Sequence, residues 1–109
     1  MQIPLQVTFR GMSPMPSVGT LIQERWSRIE RFSDRVIRGH VTVGIPHRHH
    51  RNGRSYNVHL EITTALGNII VTREPTSSGA GEELDVTIRA AFDVATRQLE
   101  EEFRRRRSA

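Results

Sequence analysis

The sequence predicts an α+β domain of order β-α-β-β-β-α, with two helices packed on one face of a four-stranded mixed sheet. Three observations carry this reading. Three stretches alternate apolar and polar residues at period two, and a fourth short stretch follows a turn signal; two more repeat apolar residues at the helical period; clusters of Gly, Pro and Ser separate them. With 109 residues the chain has room for one modest core, so 1–109 reads as a single domain.

Ile3, Leu5, Val7 and Phe9 alternate with Gln2, Pro4, Gln6 and Thr8, the pattern of a strand with one buried face. Pro4 lacks the N–H that a ladder uses, which places this strand at a sheet edge. Residues 11–16 break the alternation, and Ser17 is positioned to cap a helix over residues 18–32. In that helix Val18, Leu21, Ile22, Trp26, Ile29 and Phe32 make an apolar stripe, with Arg28, Arg31 and Arg35 on the adjoining polar side. Val41, Val43 and Ile45 alternate with Thr42 and Gly44 in a second strand that ends at Pro46. Gly39 and Gly44 fall inside this pattern and are read as marks of bulges.

Tyr56, Val58, Leu60 and Ile62 alternate with Asn57, His59, Glu61 and Thr63 in a third strand. Residues 65–68, with Gly67-Asn68 as their signal, turn into a fourth strand over residues 69–73. Residues 75–81, rich in Ser and Gly, read as a mobile connection. From Glu83 a second helix begins, with Leu84, Ile88, Ala91, Phe92, Ala95, Leu99 and Phe103 on its apolar face, and residues 104–109 are expected to fray as a basic tail. Helices on one side leave the other face of the sheet partly polar and solvated.

All 16 basic residues are Arg, against 12 acidic ones, for a formal net charge of +4. A guanidinium presents a planar fork of donors that matches phosphate oxygens, so the set fits an RNA partner. Genomic base composition accounts for an Arg-only set as readily, so position matters more than total charge. The absence of Cys excludes disulfides and thiolate metal sites and permits a reducing compartment. No apolar run approaches a membrane span, and the N-terminus has neither a basic n-region nor an apolar h-region. A cytoplasmic protein without membrane contact is expected.

The densest polar feature, Pro46-His47-Arg48-His49-His50-Arg51-Asn52-Gly53-Arg54, lies between two strands and admits three readings. As a nucleic-acid loop, Arg48, Arg51 and Arg54 contact phosphates while the histidines stack or hydrogen-bond. As a metal site, His47, His49 and His50 supply imidazoles, but adjacent residues rarely converge on one ion and no acidic or Cys partner lies in the loop. As an ordinary turn, it is simply solvated.

Elsewhere helical spacing pairs opposite charges: Glu24 with Arg28, Glu30 with nearby Arg side chains, Asp93 with Arg89 and Arg97, and residues 100–102 with residues 104–106. His40 and His59 fall on strands, where they read as surface or boundary residues. No nucleophile motif, paired-carboxylate spacing or Gly-rich phosphate loop appears, so no catalysis, cofactor or small-molecule substrate is expected.

Four segments at these spacings, Ile29-Glu30-Arg31-Phe32, Pro46-His47-Arg48-His49-His50, Val71-Thr72-Arg73-Glu74-Pro75 and Arg97-Gln98-Leu99, resemble the ribosome hibernation promoting factor family. Its members are also called ribosome-associated inhibitors, ribosomal subunit interface proteins and sigma-factor modulation proteins. The resemblance runs from the first strand to the end of the second helix. It implies a fold like that of double-stranded-RNA-binding domains, placed on small-subunit rRNA in the channel used by mRNA and tRNA. Occupying that channel blocks initiation and holds ribosomes inactive under stress or in stationary phase.

By position, Arg28, Arg31, Arg73, Arg89 and Arg97 are the family-like basic residues; with Arg35, Arg48, Arg51 and Arg54 they make up the expected rRNA-binding set. The sequence departs from the family at Asp85, where Tyr is common, near Val94, where Lys is frequent, and at Glu100, Glu101 and Glu102, in a stretch that is often basic. The chain stops at Ala109, so the C-terminal dimerisation domain of long members is not expected. The alternative reading is a protein-interaction adaptor of the same fold that does not bind the ribosome. The acidic second helix and the small net charge motivate it.

Overall fold

The computed structural model describes residues 3–32, 35–44, 56–73 and 84–108. In chain order they form β1 (Leu5–Arg10), α1 (Pro16–Ile29) continued by a single 3-10 turn (Glu30–Phe32), β2 (Val36–Gly44), β3 (Asn57–Thr64), β4 (Gly67–Arg73) and α2 (Leu84–Ser108). The sheet has the order β1-β2-β3-β4; β1 runs parallel to β2, and the other two pairings are antiparallel. Parallel neighbours need a crossover, and α1 supplies it. The predicted mixed sheet is thus formed, with β1 at an edge as Pro4 requires. The Pro4 carbonyl still accepts a bond from the Gly39 N–H at 3.0 Å.

Register divides the sheet into two faces. Val7, Val41, Leu60 and Val71 form one cross-strand row, and Leu5, Gly39, Ile62 and Ile69 another, on the side covered by the helices. Val18, Ile22, Trp26 and Ile29 of α1, and Leu84, Ile88, Ala91, Phe92, Ala95, Leu99 and Phe103 of α2, close over these rows as the buried core. Every residue expected on the apolar face of α2 is buried. Each fully buried Ile or Leu contributes about 1.5–3 kcal/mol relative to exposure. The opposite face carries the rows Gln6, His40, Glu61, Ile70 and Thr8, Thr42, His59, Thr72. It is the predominantly polar face that one-sided helix packing predicts.

Several local expectations are corrected. Helix α1 starts at Pro16, with Met15 at the N-cap position and no side-chain capping bond. Proline presets the helical φ and lacks an N–H that would go unbonded there, so Ser17 is not needed as a cap. β2 starts at Val36, earlier than the alternation suggested, and its register irregularity lies between Val36 and Arg38 rather than at Gly39 or Gly44. The β3–β4 turn is Ala65-Leu66, and Gly67, with φ +135, already belongs to β4. Thr64 closes the hairpin: its hydroxyl donates to the Gly67 carbonyl at 2.7 Å and accepts from the Leu66 N–H at 3.0 Å. α2 continues helical through Ser108, where fraying was expected from residue 104. Its acidic run before a basic run supports the last turns by charge pairing, with Glu102 meeting Arg105 at 3.6 Å.

Trp26 explains Gly39. A Cβ built on Gly39 would meet the indole at 2.3 Å, so only glycine leaves room for the ring against β2. The indole Nε1–H then donates to the Ile3 carbonyl at 3.0 Å, and the Glu30 carboxylate accepts from the Ile3 N–H at 2.9 Å. Helix α1 and its terminal turn therefore hold the entry to β1 through both backbone groups of one residue. Glu30 is spent on this strap rather than on the neighbouring arginines that helical spacing offered it.

Candidate nucleic-acid interface

On the outer side of the helix layer, α1 and α2 leave a groove of about 190 Å³ lined by Arg25, Arg28, Arg31, Phe92, Asp93, Thr96, Arg97 and Glu100. Its geometry follows from helical spacing. Residues 25, 28 and 31 recur every three positions on one side, and residues 93, 96, 97 and 100 recur at three and four on the other, so each set forms one ridge. Arg25 meets Asp93 and Arg31 meets Glu100, both at 3.9 Å. Because partners ascend together in both helices, the two run side by side in the same direction. Four guanidiniums face two carboxylates, an excess of two positive charges.

The pairings differ from those that sequence spacing offered. Asp93 reaches across to Arg25 instead of along α2 to Arg97. Glu100 reaches across to Arg31 instead of forward to Arg104. Among the described residues, Arg28 and Arg97 make neither an ion pair nor a hydrogen bond, and both line the groove. The expected pair between Glu24 and Arg28 is not formed. A pair at 3.9 Å between groups as exposed as Arg31 (60%) and Glu100 (46%) is weak, worth about 0–1 kcal/mol, so Glu100 does not lock Arg31 away.

The remaining expected site residues are distributed differently. Arg89 pairs with Asp85, one turn before it on α2, at 3.9 Å. Arg35 leaves the polar side predicted for it with Arg28 and Arg31: its guanidinium lies over the Phe103 ring, 5.1 Å from the centroid, and helps seat the end of α2. Arg73 stands opposite Val58 at the end of β4 and is half-buried on the helix side of the sheet. Arg48, Arg51, Arg54, His47, His49 and His50 lie outside the described residues, as does the connection at residues 75–81. Among the described residues no group of three His, Cys, Asp or Glu side chains is placed to hold a metal ion. Among the described residues no helix is long and apolar enough to cross a membrane.

Sequence reasoning passed over Arg25 and Thr96, which line the groove with the expected arginines. The signal was present for Arg25, three residues before Arg28. What placed it at the site is α2, not its own helix.

A family model described as Sigma 54 modulation protein / S30EA ribosomal protein matches residues 5–107. Among solved structures, a ribosomal subunit interface protein from Coxiella burnetii superposes with a TM-score of 0.73 at 16% identity, covering 92% of this chain and 97% of that one. The N-terminal domain of Protein Y from Thermus thermophilus gives a TM-score of 0.68, also at 16% identity, over 93% of this chain and 98% of that one. At this identity the likeness is one of fold. Among curated proteins none matches in sequence.

Proposed function

The chain belongs to the Sigma 54 modulation protein / S30EA ribosomal protein family, and from that membership we propose that it associates with the ribosome. On this reading it binds small-subunit rRNA in the channel used by mRNA and tRNA and inhibits translation under stress or in stationary phase. It acts by occupancy, without catalysing a reaction, and its place is the cytoplasm. Two solved structures of like fold are a ribosomal subunit interface protein and the N-terminal domain of Protein Y, which agrees with the proposal.

The observation that carries it is the pair of arginines, Arg28 and Arg97, free of carboxylate partners among the described residues and set in one groove with Arg25 and Arg31. Exposed guanidiniums at a shared groove neutralise neighbouring phosphates and release their counterions, which favours a folded RNA surface over an isolated anion. Arg48, Arg51 and Arg54 in the loop between β2 and β3, with Arg35, Arg73 and Arg89, complete the proposed contact set.

Co-sedimentation of the protein with purified small ribosomal subunits at two salt concentrations tests the proposal. The expected result is binding at low salt that falls steeply as salt rises, by about 0.7–0.9 in log K per log unit of salt for each phosphate neutralised. Absence of binding at low salt would overturn it. Recovery of one protein partner and no rRNA from a nuclease-free lysate would favour the adaptor reading instead.

A further inference from the structure

Of the six charged side chains that line the groove, two are negative, and both sit where a bound phosphate would have to approach. Asp93 holds Arg25 and Glu100 holds Arg31, while Arg28 and Arg97 have no carboxylate among the described residues. The groove is therefore divided into two available guanidiniums and two that are already engaged inside the molecule. We propose that Asp93 and Glu100 are specificity residues of this surface, which compete with phosphate for Arg25 and Arg31 and so suppress binding to RNA that does not match the groove. This rests on the reading of the groove as an RNA-binding surface.

The physical argument is one of differential binding. A duplex RNA of arbitrary sequence meets the groove through its phosphates alone and gains the attraction of Arg28 and Arg97, against repulsion from two carboxylates. A surface that fits the domain makes further contacts elsewhere and can displace the carboxylates from Arg25 and Arg31. The separation of 3.9 Å in both pairs suits such an exchange, because neither is a short, tightly bonded pair that displacement would have to break. Discrimination of this kind is a difference between two affinities, and a repulsive element raises it even as it lowers both. The side chains of Asp93 and Glu100 are 69% and 46% exposed, so their charges serve no buried structure.

The experiment measures binding of the full chain to a short non-ribosomal RNA duplex across a salt series, for the wild type, Asp93→Asn, Glu100→Gln and the double variant. Glu61→Gln serves as the control, because it removes one negative charge from the open sheet face while its side chain can still accept from Asn68. Each groove substitution is expected to tighten duplex binding roughly threefold to tenfold. Each also makes the slope of log K against log salt steeper by about 0.7–0.9, the signature of one more phosphate neutralised. Glu61→Gln is expected to change the slope by much less.

Equal responses from the control and the groove variants would show a net-charge effect and overturn the proposal. So would groove variants with wild-type melting temperature and unchanged slope. Failure of the wild type to sediment with small subunits, with the groove variants still gaining duplex affinity, would reject the ribosomal reading alone and leave the competition of carboxylate with phosphate standing.

Discussion

On the open face of the sheet the Thr8 hydroxyl and the His40 imidazole lie 2.9 Å apart, His59 and Thr72 lie 3.0 Å apart, and Asn68 donates to Glu61 at 3.2 Å. In the groove on the other side of the molecule, Arg25 and Arg31 meet their carboxylates only at 3.9 Å, and Arg28 and Arg97 meet none among the described residues. The difference comes from what sets the spacing. Backbone ladders hold adjacent strands about 4.8 Å apart and deliver short polar side chains to bonding distance. Packed helices lie about 8–10 Å apart, so long charged side chains span the gap with slack. The sheet face pairs several of its polar side chains at bonding distance, whereas the groove keeps cationic capacity for a partner.

The largest effect we predict falls on the layer that separates these two sides. Gly39→Ala sets a methyl group against the Trp26 ring, which must shift and loosen its bond to Ile3. Overpacking of this kind costs about 1–3 kcal/mol. For a domain of this size that is a fall of roughly 4–20 °C in Tm, read by calorimetry. An unchanged Tm would mean that the indole has another place to go.

Next in size is the groove itself. Arg28→Ala with Arg97→Ala is expected to weaken small-subunit binding at least tenfold at moderate salt and to flatten the salt dependence by about 1.4–1.8, two phosphates' worth. Tm should hold, because neither side chain is buried. Retained affinity in a stably folded variant would move the binding surface elsewhere.

His59→Ala is the counterpart on the open face. It removes one exposed hydrogen bond, so stability should fall by no more than about 1 kcal/mol in urea unfolding, with ribosome affinity unaltered. A loss of affinity as large as that of the groove variant would assign the binding surface to the sheet. The smallest effect is expected from Arg35→Ala, which removes the cation–π contact with Phe103 and should lower stability by about 0.5–1 kcal/mol, with a salt slope flattened by no more than about 0.7–0.9, one phosphate's worth.

The amphipathic periods of α1 and α2 and the alternation in β1, the second half of β2, and β3 were legible because each depends on neighbours a few residues away. That is why the α2 apolar face was read correctly from Leu84 to Phe103 and why Pro4 pointed to an edge strand. The start of α1 was missed because serine and proline are both favoured near helix starts, at different positions, and the choice between them needs the local backbone geometry. Of the candidate site, helical spacing joined Arg28 to Arg31, and nothing in the sequence joined either to Arg97.

Element order, the burial pattern and the stock of guanidinium groups were thus determined by the sequence itself, through local periodicity and composition. Only the tertiary structure decided which groups meet: Asp93 turned from Arg97 to Arg25, Glu100 from its own helix to Arg31, Glu30 to the backbone of Ile3, and Gly39 to the ring of Trp26. Those partners lie from 27 to 69 residues apart along the chain, except for Trp26 and Gly39 at 13. A side chain has no means of selecting such a distant partner until the packing of helix on sheet has fixed which groups stand within reach.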